Sequence, residues 1–252
     1  MPTAAQILPP AKAAARRFTT PRRSCGNRLV DALPGAERAR ILGACKQVDL
    51  APGNVLCEPG HRIRHAWFPL RGFISQSPAA GRPLRAEVGL IGNDGMLGAE
   101  LVLGVDESSQ FSQSLDGGIA LRISAPALRR ELRRGRVLRR LLHRYVHVLM
   151  MQLVQNATCI ASHKIEQRLA RLLLMMSRDR ASSDSLDVTQ VSLAAMLGVR
   201  RVGVTEAAGA LQRGGLIRYS RGRLFVTDRA GLERNACDCY RTACASRQRW
   251  LG

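Results

Sequence analysis

The stretch from Thr189 to Asp228 restricts the fold more than any other part of the chain. It reads TQVSLAAMLGVRRVGVTEAAGALQ and then RGGLIRYSRGRLFVTD. Two short helical patterns flank Gly198, and a strand–turn–strand pattern follows. Leu193, Leu197, Val199, Val204, Ala208 and Leu211 recur at helical spacing and form one apolar face. Ala194 is small where two helices would cross closely, and Gly198 can adopt the positive φ of a tight inter-helix turn. Thr189 suits the N-cap of the first helix. The second helix then starts near Arg200, and Gly214-Gly215 ends it. The pattern predicts a helix-turn-helix followed by a two-stranded wing. The plain alternative is an αα-hairpin with a solvated Arg pair.

Charge distribution favours the first reading. The 252 residues carry a formal charge of +20, unevenly spread. Residues 1–30 hold six basic and no acidic residues, whereas residues 31–126 hold nine basic and ten acidic ones. Residues 127–162 hold eight basic and one acidic, and residues 163–252 hold sixteen basic and eight acidic. A near-neutral segment thus lies between basic ones, and the helix-turn-helix segment is basic, which points to a polyanion partner. The length suits about two domains.

The texture changes along the chain. Residues 1–26 are rich in Ala, Pro and Arg and read as a disordered basic arm, while residues 27–50 read as a helical lead-in. From Ala51 to about Ile123, Gly and Pro punctuate short apolar runs such as HAWFPL, GFISQS, LRAEVGLI and GIALRIS, the texture of an antiparallel sandwich or barrel. Residues 27–126 therefore form one β unit. Residues 127–162 read as a long helix in which Leu138, Leu142, Tyr145, Leu149 and Leu153 make a seam. That seam meets a partner helix, packs on its own β unit, or does both through more than one face. Residues 163–235 hold a further helix and the winged module, and residues 236–252 form a tail.

This order of parts resembles the cyclic-AMP receptor/fumarate–nitrate regulator (CRP/FNR) family of bacterial transcription regulators. The residues that carry the resemblance are GNDGMLGAELVLG (92–104), HKIEQRLARLLL (163–174) and residues 188–228. The resemblance implies an α+β fold: a cyclic-nucleotide-binding-like β-roll, a long dimerisation helix and a C-terminal winged helix-turn-helix. It implies a homodimer that reads a near-palindrome in double-stranded DNA. Arg201 matches the family's guanine-reading arginine, with Arg200, Gly203, Thr205 and Glu206 around it, and Thr189, Gln190, Arg221 and Arg223 as backbone contacts. Val202 and Glu206 depart from the family's glutamate and second arginine, so the docking mode carries over and the operator sequence does not. Gly98, Glu100 and Leu101 match the turn that lines the family's ligand site, with one residue inserted. Ser108 to Ser114 contains no arginine to clamp a cyclic phosphate, so cyclic AMP is not the expected ligand. The expected partners are DNA and a second copy of the chain, with RNA polymerase and an unknown small-molecule effector as further candidates.

Several chemistries find little support. No GxSxG, P-loop, HExxH or dinucleotide fingerprint occurs, so no enzyme is expected. The seven cysteines are scattered, and Cys25, Cys45 and Cys57 do not make an N-terminal iron–sulfur set. Cys237, Cys239 and Cys244 could contribute to a zinc site, but C-x-C lacks a second ligand pair in sequence. A packed tail with no metal and no cofactor is the expectation. No run of 18 apolar residues occurs, so no transmembrane helix and a cytoplasmic location are expected. A ligand-free architectural DNA binder is the second reading of the whole.

Overall fold

The structure is a computed structural model and describes residues 24–78, 89–177, 185–186, 188–220 and 223–251. Most of the basic arm therefore lies outside the described residues. Its last residues, 24–26, are tied down rather than loose, because Asp31 accepts from Cys25 N at 2.9 Å and Gly26 N at 3.4 Å.

The N-terminal half opens with helices α1 (Arg28–Asp31) and α2 (Gly35–Ala44). Seven strands follow: β1 (Lys46–Leu50), β2 (Val55–Cys57), β3 (His65–Arg71), β4 (Ile74–Pro78), β5 (Gly89–Ile91), β6 (Gln110–Ser114) and β7 (Gly118–Ser124). They form two antiparallel sheets of order β1-β7-β3 and β2-β6-β4-β5. Phe68, Ile74, Leu121 and Ile123 are buried in its cores. Gly72 turns β3 into β4 at φ +78, where a Cβ would lie 1.8 Å from the Gly117 carbonyl oxygen, so no side chain fits. One strand differs from the sequence expectation. Residues 46–50 are a strand rather than the end of a helical lead-in, because they pair with Gly118–Arg122 of β7. The polar run 110–114 is also a strand, with Ser112 and Ser114 buried between β2 and β4.

The expected single helix over 127–162 is two: α3 (Ala125–Arg134) and α4 (Arg136–Ser162). Gly135 is extended at φ −103, ψ 105, and no side chain of α4's own N-cap closes the helix. Glu37 on α2 does this instead, accepting from Leu138 N at 2.7 Å and Val137 N at 3.4 Å. A carboxylate at a helix N-terminus satisfies orphan amides and complements the dipole. The predicted seam also divides. Leu138, Leu142 and Tyr145 are buried against the chain's own β-roll, where the Tyr145 hydroxyl accepts from Met96 N at 3.0 Å. Leu153 is instead exposed, together with Met150, Val154 and Ile160.

The C-terminal half comprises α5 (Ile165–Ser177), β8 (Ser185–Leu186), α6 (Gln190–Leu197), α7 (Arg201–Arg213), β9 (Ile217–Ser220), β10 (Arg223–Val226), α8 (Arg229–Asn235) and α9 (Cys239–Leu251). A second core unites Leu169, Leu173 and Leu174 of α5 with Leu193, Leu197, Val204, Leu211, Leu224 and Leu232. The sequence read 236–252 as a tail, and most of it is helix α9, which runs back along α4. Gln155 meets Cys239 at one end, and His147 stacks edge-on against Trp250 with ring centroids 5.0 Å apart at the other. Arg247 on the same helix forms a partly buried ion pair with Asp94 of the β-roll.

Candidate nucleic-acid interface

The helix-turn-helix is built by local rules. Thr189 caps α6 by accepting from Ser192 N at 3.0 Å. Gly198 ends α6 in the left-handed region at φ 63, which lets its amide and that of Val199 return to the carbonyls of Ala195 and Ala194. Arg168 of α5, largely buried, donates to the Leu197 carbonyl and so holds the same helix end against α5. Arg200 then takes an extended conformation at φ −71, ψ 148, and α7 begins with no side-chain cap.

On α7, Val204, Ala207, Ala208 and Leu211 face the core, which turns Arg201, Val202, Thr205 and Glu206 to solvent. The Thr205 hydroxyl lies 2.8 Å from Gln190 Oε1 and 3.1 Å from the Arg201 carbonyl, so its single proton links the start of α6 to the face of α7. Gln190, Arg201 and Thr205 thus share one surface, and Thr189, Arg200 and Glu206 are exposed beside them in sequence. The first turn of α7 supplies amide N–H groups beside two guanidiniums, an arrangement suited to phosphate oxygens.

Gly203 does not belong to this face: a Cβ there would lie 3.0 Å from Ile165 Cδ1, so the glycine permits close packing of α7 on α5. Arg223 is exposed at the start of β10, opposite Ser220. Arg221 lies outside the described residues. The periodicity passed over Arg218 and Gln212. Arg218 is exposed on β9 with its guanidinium 4.9 Å from the Phe225 ring centroid, and Gln212 accepts from Tyr219 N at 3.1 Å, tying α7 to the wing. The alternation of Ile217, Arg218 and Tyr219 was the available signal for Arg218.

A cleft of 240 Å³ separates the β-roll from α4. Gln76, Gly98, Glu100, Ser109 and Gln110 line it from the roll, and Leu149 and Leu153 from the helix. Gly98 and Glu100 therefore reach the cleft. Leu101 does not: it is buried in the β-roll core, because the 3-10 turn Ala99–Leu103 points it inward. Gly98 starts that turn at φ 87, close against Ala66.

These parts define the architecture: a winged helix-turn-helix domain attached to a β-roll. The sequence model of the Crp-like helix-turn-helix domain matches residues 167–235. Among solved structures, FixK2 from Bradyrhizobium japonicum is 11% identical, with a TM-score of 0.67 over 77% of this chain and 98% of that one. The c-di-GMP-responsive regulator CLP of Xanthomonas campestris is 15% identical, with a TM-score of 0.61 over 77% of this chain and 100% of that one. A CRP/FNR-family regulator from Thermus thermophilus is 22% identical, with a TM-score of 0.59 over 76% of this chain and 98% of that one. No curated protein sequence matches the chain. Residues 167–235 thus carry a Crp-like helix-turn-helix domain, and the chain shares its fold with solved regulators of the CRP/FNR family. Among the described residues, no helix is long and apolar enough to cross a membrane.

Proposed function

We propose that the protein is a homodimeric, sequence-specific transcription regulator that reads a near-palindrome. The observation that carries this reading is the solvent face of α7, where Arg201, Thr205 and Glu206 stand together and Gln190 braces Thr205 at 2.8 Å. In this reading Arg201 pairs with the O6 and N7 of a guanine. Thr189, Gln190, Arg200, Arg221 and Arg223 engage the backbone, and Glu206 accepts from a cytosine N4. Two copies of α7 would enter successive major grooves about 34 Å apart. Selection of random duplex DNA by the purified full-length protein tests this. A two-half-site near-palindrome is expected, whereas enrichment of no motif with or without cell extract favours an architectural, non-specific binder.

The dimer is supported by the second half of α4. Met150, Val154, Ala157 and Ala161 are exposed at steps of 4, 3 and 4, the spacing of a helix–helix seam. Val154→Glu should turn the dimer into monomers in sedimentation equilibrium. The cleft beside α4 is the place for an effector. Glu100 and Arg171 place one charge of each sign in its lining, and residues 108–114 supply no arginine to clamp an anionic cyclic phosphate. Cyclic AMP and cyclic GMP should leave the melting temperature unchanged, and a saturable rise with either would overturn that part.

A further inference from the structure

Four side chains with metal-ligating atoms converge where the two halves of the molecule join. Cys159 and His163 stand one turn apart at the end of α4, and His163 is its C-cap. Cys237 precedes α9 and Cys239 is its first residue. The four ligand atoms all lie within 4.8 Å of one another. Cys159 Sγ is 3.6 Å from Cys237 Sγ, and Cys239 Sγ is 3.6 Å from His163 Nδ1. With Zn–S bonds of about 2.3 Å and Zn–N bonds of about 2.0–2.1 Å, a tetrahedron has S···S edges of about 3.8 Å and S···N edges of about 3.6 Å. The two measured separations are thus close to the edges of one zinc coordination sphere.

The surroundings agree with a ligand set rather than a patch of core. Cys159, Cys237 and Cys239 are buried and form a cluster of their own, apart from the two large apolar cores. Gln155 Nε2 donates to Cys239 Sγ at 2.9 Å, the kind of outer contact that orients a thiolate ligand. Three soft sulfurs and an imidazole at tetrahedral spacing select zinc over oxygen-seeking cations. A disulfide between Cys159 and Cys237 would leave Cys239 and His163 unexplained.

We propose that Cys159, His163, Cys237 and Cys239 form a Cys3His site for one structural zinc ion per chain. Binding replaces three thiol protons, which pass to solvent, and leaves His163 neutral and ligating through Nδ1. No electron moves. The site clamps α9 to the hinge, because only His163 and Lys164 separate α4 from α5. The far end of α9 is held by the Arg247–Asp94 pair and by Trp250 against His147. With its near end fixed by zinc, α9 becomes a strap across the joint that orients the DNA-binding helices relative to the β-roll.

The test is the metal content of full-length protein purified under reducing conditions from zinc-replete cells and passed through gel filtration. One zinc per chain is expected. Cys159→Ser and Cys237→Ser should lose it, and Cys244→Ser, outside the cluster, should retain it. Because the serine variants could fail to fold, stripped wild-type protein is also titrated with Co2+. Intense visible d–d bands and a near-ultraviolet thiolate-to-cobalt band are expected, and His163→Cys should keep the ion while shifting those bands. Zinc removal should raise amide exchange across 239–251. The site is refuted by wild-type protein that holds no zinc and gives no cobalt bands, by iron in place of zinc, or by full zinc retention in both serine variants. Unchanged exchange in α9 would refute the clamp.

Discussion

Replacing Arg201 with Ala separates base reading from phosphate contact. Arg201 is exposed at the first position of α7 and makes no ion pair among the described residues. Its removal should therefore change folding stability by no more than about 0.5 kcal/mol. A bidentate guanine contact is worth about 1–3 kcal/mol of discrimination. Two half-sites double this to about 2–6 kcal/mol, or roughly 30-fold to 10⁴-fold in the affinity for the selected palindrome. Affinity for unrelated duplex should fall far less, and the slope of log K against log salt should barely move. The assay is fluorescence anisotropy on the selected site and a scrambled one across a salt series. An equal loss on both sequences, with the slope reduced by about 2 for the dimer, would make Arg201 a phosphate contact and refute the argument.

Three other outcomes follow from the packing. Leu173 is fully buried in the C-terminal core, so Leu173→Ala should cost about 2–5 kcal/mol in urea unfolding, and a loss below about 1 kcal/mol would contradict its place there. Glu37→Ala removes the acceptor for Leu138 N and should cost about 1 kcal/mol. Exchange of the Leu138 amide should rise first, with Glu37→Gln restoring part of the protection. Burial raises the Asp31 carboxyl's pKa, but hydrogen bonds from the Cys25 amide, Ser24 and Arg38 outweigh it and hold the group below its ordinary value. A depressed acid stabilises the fold above its unfolded pKa and loses that contribution as pH falls through the folded one. Asp31→Asn should accordingly flatten the acid limb of the stability profile below about pH 4, and an unchanged limb would remove Asp31 from that account.

Much of the DNA-binding module was legible in the sequence because its rules are local. A hydroxyl caps α6 at Thr189, a glycine takes positive φ at Gly198, and apolar residues repeat at the helical period from Leu193 to Leu211. The change from Gly- and Pro-punctuated strands to helix near Pro126 was equally local. Periodicity says which residues share a face, but not what covers that face. Leu138 and Val154 both belong to apolar faces of α4, and only the fold buries one against the β-roll and leaves the other exposed. Gly203 lies between residues of the DNA face in sequence, and only the packing of Ile165 of α5 beside it sets it apart. Gly135 would have softened one long helix, but Glu37, 101 residues from Leu138, makes it the start of a new one. The tail cysteines lacked a second ligand pair in sequence, since Cys159 stands 78 residues before Cys237. The sequence by itself determined the helices, turn and cap of the helix-turn-helix, because those depend on neighbours a few residues away. Only the tertiary structure decided which residues meet across the hinge, because such contacts are chosen by the packing of whole elements.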